Sequence, residues 1–119
     1  MTTTTDIGRL TEQAAIHFLE QQGLQLLANN IRYKFGELDL IMKQQEVLVF
    51  VEVRYRSNMN YGGALESITA TKRARLERAA LAYLQSNGLS NKVECRFDLM
   101  ALTGPLDNII FQWVKNIFQ

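Results

Sequence analysis

Residues 36–56 read GELDLIMKQQEVLVFVEVRYR, and their pattern decides what kind of sheet this chain builds. Side chains alternate along a strand, so Val47, Val49, Val51, Val53 and Tyr55 fall on one face and Leu48, Phe50, Glu52, Arg54 and Arg56 on the other. The preceding run divides in the same way, with Leu38, Leu40 and Met42 opposed to Glu37, Asp39 and Ile41. The polar residues Lys43, Gln44, Gln45 and Glu46 separate the two runs. A hairpin is therefore predicted, with strands over residues 37–42 and 47–55.

A turn centred between Gln44 and Gln45 sets Asp39 against Phe50 and Glu37 against Glu52; a shift of two residues sets Asp39 against Glu52 instead. In both registers Glu37, Asp39 and Glu52 share a face with Arg54 and Arg56. Opposed residues have Cβ atoms roughly 5 Å apart and diagonal ones roughly 7–8 Å, so two carboxylates can reach one cation. Without a cation, like charges so placed destabilise a sheet, and a buried carboxylate costs several kcal/mol or takes up a proton. Arg54 and Arg56 supply part of the compensation as ion pairs. A hard divalent ion such as Mg²⁺, or Mn²⁺, which prefers carboxylate and water oxygens, would supply the rest. A solvated hairpin face crossed by salt bridges accounts for the same pattern. Ile41, Leu48 and Phe50 on that face, however, require it to be covered for part of its length, which gathers the charges at one end where a cleft can open.

Outward from the hairpin, Ile7, Leu10, Ala14 and Phe18 recur at helical spacing between Asp6, read as the N-cap, and Gly23, read as the stop. Residues 1–5 form a polar threonine tail, expected to be mobile. LQLLANNIRY (24–33) reads as a strand interrupted near Asn29 and Asn30, and SNMNYGG (57–63) as a glycine-bearing loop. TATKRARLERAALAYLQS (69–86) is a second helix with threonine caps at its start, Gly88 after its end, and an apolar side of Leu76, Ala80, Tyr83 and Leu84. VECRFDLMAL (93–102) alternates as a strand, and residues 109–114 form one more. The order of helix, strands, helix, strands implies an α/β sandwich with a small mixed sheet.

With 119 residues, 47% hydrophobic and 21% charged, the chain fits one globular domain with a core of its own. It contains no apolar run of membrane-spanning length, and MTTTTDIGRL lacks the basic start and apolar block of a signal peptide, so a cytoplasmic protein with no membrane partner is expected. Cys95, the single cysteine, is read as a small core residue, which leaves neither a disulfide nor a cysteine zinc site. His17 is read as a residue at the core margin, and Asp98 as the structural ion-pair partner of Arg96.

Asp39, followed thirteen positions later by Glu52-Val53-Arg54, resembles the D…E-x-K pattern of restriction-endonuclease-like nucleases. An early helix with Gly8, Glu12 and Ala15 precedes GELDLI, VFVEVRYRS, YGG, ITATKRARL and CRFDLMAL. In this order, over nearly the whole chain, these segments are similar to the YraN family of small bacterial proteins, whose fold is similar to that of archaeal Holliday-junction resolvases. The resemblance implies a single restriction-endonuclease-like domain over residues 1–119. It also implies a Mg²⁺- or Mn²⁺-dependent nuclease that hydrolyses phosphodiester bonds of structured or branched DNA, with homodimerisation left open. By position, Asp39 and Glu52 would be the metal ligands, and Arg54 would stand where those nucleases carry lysine. Glu12 would be the helix carboxylate that resolvase-like members add, and Glu37 either a supporting partner or an extra ligand.

Arg54 is a departure. A guanidinium stays protonated, so it cannot act as a general base; it can orient water or clamp a phosphate oxygen. Glu12 lies nearly opposite the Ile7, Leu10, Ala14, Phe18 stripe on a helical wheel, so a surface role is equally open. Net charge is only +1, but Arg54, Arg56, Lys72, Arg73, Arg75 and Arg78 face just Glu66 and Glu77 between residues 54 and 78. Lys72, Arg73, Arg75 and Arg78 at the start of the second helix, with Arg56 and the Tyr61-Gly62-Gly63 loop, are the expected nucleic-acid contacts. Three functional classes follow: a metal-dependent nuclease, a non-catalytic nucleic-acid-binding protein retaining the nuclease fold, and an interaction domain with no nucleic-acid role.

Overall fold

The computed structural model describes residues 3–58 and 63–118. Helix α1 (Thr4–Gln21) is followed by strands β1 (Gln25–Tyr33), β2 (Gly36–Gln44) and β3 (Val47–Arg56), a 3-10 turn at Ala64–Ser67, helix α2 (Ala70–Ser86), and strands β4 (Glu94–Thr103) and β5 (Ile110–Val114). The five strands lie in sequence order in one sheet. Neighbours are antiparallel except β3 and β4, which are parallel. A parallel pair cannot be closed by a tight turn, and α2 is the crossover that joins these two.

The unbroken apolar run of β3 follows from its central place, because both faces of the sheet are covered. On one face Ala15, Ile16 and Leu19 of α1 pack against Leu40, Met42, Val49 and Val51. On the other, Leu76, Ala79, Ala80 and Leu84 of α2 pack against Leu38, Ile41, Leu48 and Phe50. The result is the expected α/β sandwich, with helices on opposite sides of a mixed sheet. Among the described residues, no helix is long and apolar enough to cross a membrane.

Several local expectations change. Thr3, not Asp6, is the N-cap of α1: its hydroxyl accepts from the Asp6 N–H at 3.0 Å while the Asp6 carboxylate accepts from the Thr3 N–H, so Asp6 completes a capping box from inside the first turn. Thr4 and Thr5 are therefore helical rather than part of a mobile tail, and residues 1 and 2 lie outside the described ones. The buried face of α1 is Thr11, Ala15, Ile16 and Leu19, while Leu10 is 49% exposed. Gly23 does stop the helix, with φ at +96° where side chains are strained.

Strand β1 runs without a break; its irregularity is a bulge between Leu26 and Ala28, and Asn30 takes a positive φ of 53° within it. Lys43 and Gln44 belong to β2, leaving Gln45 and Glu46 as a two-residue turn with Gln45 at φ 54°. Cys95 and His17 are both exposed rather than at the core. Asp98, as expected, pairs with Arg96 at 2.9 Å, and it also accepts from the Trp113 indole and the Asn116 backbone.

Candidate metal and phosphate site

The hairpin adopts the register that the two-residue shift describes. Leu40 faces Val51 and Ile41 faces Phe50, which carries Asp39 to the position opposite Glu52. The pairing of β2 with β3 ends at Leu40, while β2 stays paired to β1 down to Gly36. Released from β3, this end of β2 breaks the expected parity. Leu38 packs in the α2-side core although Leu40 packs in the α1-side core.

Asp39 lies at this divergence, and its Oδ2 accepts a hydrogen bond from the Val53 N–H at 2.9 Å. The carboxylate thus replaces the backbone acceptor that β2 no longer offers, satisfying a ladder N–H that would otherwise lose its partner. The same bond pins the carboxyl between the strands, beside the next residue back on β3, Glu52.

Glu52 is 7% exposed, and its Oε2 lies 2.6 Å from Arg54 Nη1. Burial pushes its carboxyl up to about 8, and the negative charge of Asp39 and a hydrogen bond to it push the same way. Arg54 and, more weakly, Lys72 pull it down. One close guanidinium does not offset the burial of Glu52 beside the half-buried Asp39 carboxylate, so the protonated form of Glu52 is favoured well above the usual carboxylate range. This is the electrostatic deficit anticipated from the sequence, now located at a specific pair.

Arg54 is held at two of its three nitrogens. Its Nε donates to Ser67 Oγ at 3.2 Å and its Nη1 pairs with Glu52, while Nη2 is buried with no hydrogen-bond partner among the described residues. A buried N–H left unmade costs about 1–3 kcal/mol, so an acceptor brought to this nitrogen would be stabilising. Asp39, Glu52, Arg54, Lys72 and Arg75 line one cavity of about 240 Å³ between the end of β2 and the first turns of α2. Gly36 sets that spacing: a Cβ there would come within 3.1 Å of the Arg75 carbonyl oxygen and 3.3 Å of its Cβ. A side chain at this position would require the strand or the helix to give by a few tenths of an ångström.

The other predicted residues fall in different places. Glu37, half exposed, pairs with Arg32 at 3.2 Å, and so borders the cavity without joining the carboxyl pair. Glu12 is not on the far side of its helix, because the buried face is centred on Ala15 and not on the Ile7–Phe18 stripe. Its Oε1 accepts from the amides of Asn29 at 3.0 Å and Asn30 at 2.8 Å. It lines a separate groove on the α1 side, which Asp39 also borders. Among the described residues no group of three or more His, Cys, Asp or Glu side chains forms a ready-made metal cage.

On α2, Lys72 and Arg75 face the carboxyl cavity and Arg78 lies farther along, over the Phe35 ring. Arg73 points elsewhere: it bonds Glu77, donates to the Phe118 carbonyl and stacks on the Phe118 ring, fastening the C-terminal segment. Arg56 is exposed at the end of β3. Tyr61 and Gly62 lie outside the described residues. Ser67 and the spacing role of Gly36 escaped sequence reasoning. A lone serine in a short turn carries no signal, whereas a glycine directly before ELD at a strand start could have been taken as a sign of close backbone approach.

The chain matches the family described as Uncharacterised protein family UPF0102 over residues 11–102. A UPF0102 protein of Shewanella loihica is 48% identical over 111 residues, covering 93% of this chain and 92% of its own length. One from Pseudomonas putida is 46% identical over 121 residues, covering 97% and 94%. The matched segment runs from the buried face of α1 to the end of β4 and so includes the carboxyl pair, Arg54 and the whole of α2. With similarity of this extent, the chain belongs to the UPF0102, or YraN, family.

Proposed function

We propose that this protein is a metal-dependent nuclease of restriction-endonuclease-like type, hydrolysing phosphodiester bonds of structured or branched DNA. The observation that carries the reading is the buried Glu52 carboxyl, its proton affinity raised by burial and by the adjacent, half-buried Asp39, beside a guanidinium nitrogen with no hydrogen-bond partner among the described residues. The donors fit Mg²⁺ or Mn²⁺. Mg²⁺ is commonly held by one or two carboxylates, with water and substrate phosphate oxygens completing its shell, so a third protein carboxylate is not required.

Asp39 and Glu52 would hold the ion; bound there, it supplies charge neutralisation at the scissile phosphate and a lowered pKa for water. The residues of the chain do the rest. Asp39 is fixed by Val53, so its carboxylate is oriented before any ligand arrives. Glu52 must release its proton when a cation binds, which makes binding favour higher pH. Arg54, permanently charged and anchored on Ser67, clamps a phosphate oxygen through Nη2 and stabilises the charge that develops on the phosphorus oxygens. Lys72 and Arg75 approach from α2 with further positive charge for the backbone.

A second reading has its own support. Arg54 cannot take up a proton from water, and its 2.6 Å contact with Glu52 occupies one of the two carboxyl groups. On this reading the cavity binds nucleic-acid phosphate without cutting it. Incubating the protein with linear, single-stranded and four-way-junction DNA, with Mg²⁺ or Mn²⁺ and with chelator, separates the two. Metal-dependent products that vanish in Asp39→Asn support hydrolysis; retardation without products under every metal selects the binding reading.

A further inference from the structure

We infer that the groove beside the carboxyl cavity, at the β1–β2 turn, binds an unpaired stretch of DNA next to the scissile phosphate, with bases stacked on Tyr33 and Phe35. This rests on the nucleic-acid reading above and deepens it by specifying the form of the substrate. The groove, of about 610 Å³, shares Gly36, Glu37 and Arg75 with the carboxyl cavity, so a strand occupying one continues into the other.

Its charge suits a phosphate backbone. Arg32, Lys34, Arg75 and Arg78 line it against Glu37 alone, and Glu37 is already paired with Arg32. The floor suits bases. Tyr33 and Phe35 stack within 6° of parallel with ring centroids 5.8 Å apart, and both remain partly exposed. The Arg78 guanidinium lies 4.5 Å over the Phe35 ring, a flexible cation on an aromatic face that a base can extend or displace.

Phe35 occupies one of the two turn positions between Tyr33 and Gly36, where small or polar residues serve the backbone better. In a closed duplex the base faces are stacked on one another and unavailable to such rings. An unpaired strand offers them, along with phosphates at a spacing the flanking cations can follow.

The test is fluorescence anisotropy on the full chain, in chelator and at fixed salt, with three labelled DNAs: a single strand, its blunt duplex, and the same duplex with an unpaired flank. Phe35→Leu and Tyr33→Leu keep apolar bulk in the core margin and remove the stacking face, and a thermal melt confirms folding. The wild-type protein should bind the single strand and the flanked duplex about tenfold more tightly than the blunt duplex. Each leucine variant should lose about five- to tenfold on those two and less than about twofold on the blunt duplex. Arg78→Gln should weaken all three and flatten the salt dependence.

Equal wild-type affinity for the three DNAs, a uniform loss in the leucine variants, or no binding to any of them overturns the inference. Cleavage that needs Asp39 but is indifferent to Phe35→Leu and to unpaired DNA removes this groove while leaving hydrolysis standing. Phe35-dependent single-strand binding with no cleavage under any metal does the reverse.

Discussion

Replacing the buried Glu52 with glutamine probes the carboxyl pair through folding stability alone. The Glu52 carboxyl moves from 4.5 to about 8 on folding. Between those values the unfolded chain releases the proton and the folded chain keeps it. The unfolded state therefore binds fewer protons, and stability falls as pH rises. The slope approaches 1.36 kcal/mol per pH unit, so by pH 7 this one group lowers stability by roughly 3 kcal/mol relative to pH 4.5.

Glutamine imitates the protonated acid, so Glu52→Gln should match the wild type near pH 5 and gain on it by roughly 3 kcal/mol at neutrality. Urea unfolding followed by fluorescence of Trp113, the single tryptophan, reads the difference across pH 5 to 8.5. Titrating groups remote from the pair are common to both proteins and cancel. Mn²⁺ should stabilise the wild type increasingly with pH and leave the variant unmoved. A wild-type minus variant difference that stays flat from pH 5 to 8 would refute the account of the pair.

Asp39→Asn keeps an oxygen for the Val53 N–H and should alter stability by under about 1 kcal/mol while abolishing metal-dependent cleavage, whereas Asp39→Ala should cost a further 1–3 kcal/mol, roughly, by orphaning that N–H; urea titration and a cleavage assay check both. Lys72→Gln and Arg75→Gln should each weaken DNA binding and lower the salt slope by about one, while Arg73→Gln, on the Phe118 side of α2, should leave that slope unchanged in anisotropy titrations. Asp98→Ala should be the most destabilising of these changes, by roughly 3–5 kcal/mol in urea unfolding, because it strands Arg96, the Trp113 indole and the Asn116 N–H at a fully buried position.

The alternation of Val47 to Tyr55 was legible because a central strand covered by helices on both faces leaves little freedom in which residues are apolar. The same reasoning failed two residues before Leu40. Parity assumes continuous pairing, and β2 leaves β3 at Asp39, so Leu38 crosses to the other core. That divergence is also what lets the Asp39 carboxyl reach Val53, so the rule broke where the site is built.

On α1, Ile7 and Leu10 satisfy helical spacing as well as Ala15 and Leu19 do, but Leu10 stays exposed. The buried stripe is set by Thr11 and Ala15, small enough for close approach to the sheet, and this shift brings Glu12 round to Asn29 and Asn30. Charge counting found the basic start of α2 without separating Arg75, which faces the cavity, from Arg73, which faces Phe118. Which side of a helix a cation serves depends on neighbours distant in sequence.

The central claim is that Asp39 and Glu52 together form a cation site. Its most direct test is Mn²⁺ binding followed by electron paramagnetic resonance at pH 8, on the wild type, Asp39→Asn and Glu52→Gln. The wild type should bind the ion more readily as pH rises, and both variants should lose it. Mn²⁺ binding that survives either substitution, or its absence from the wild type even with DNA present, would contradict it.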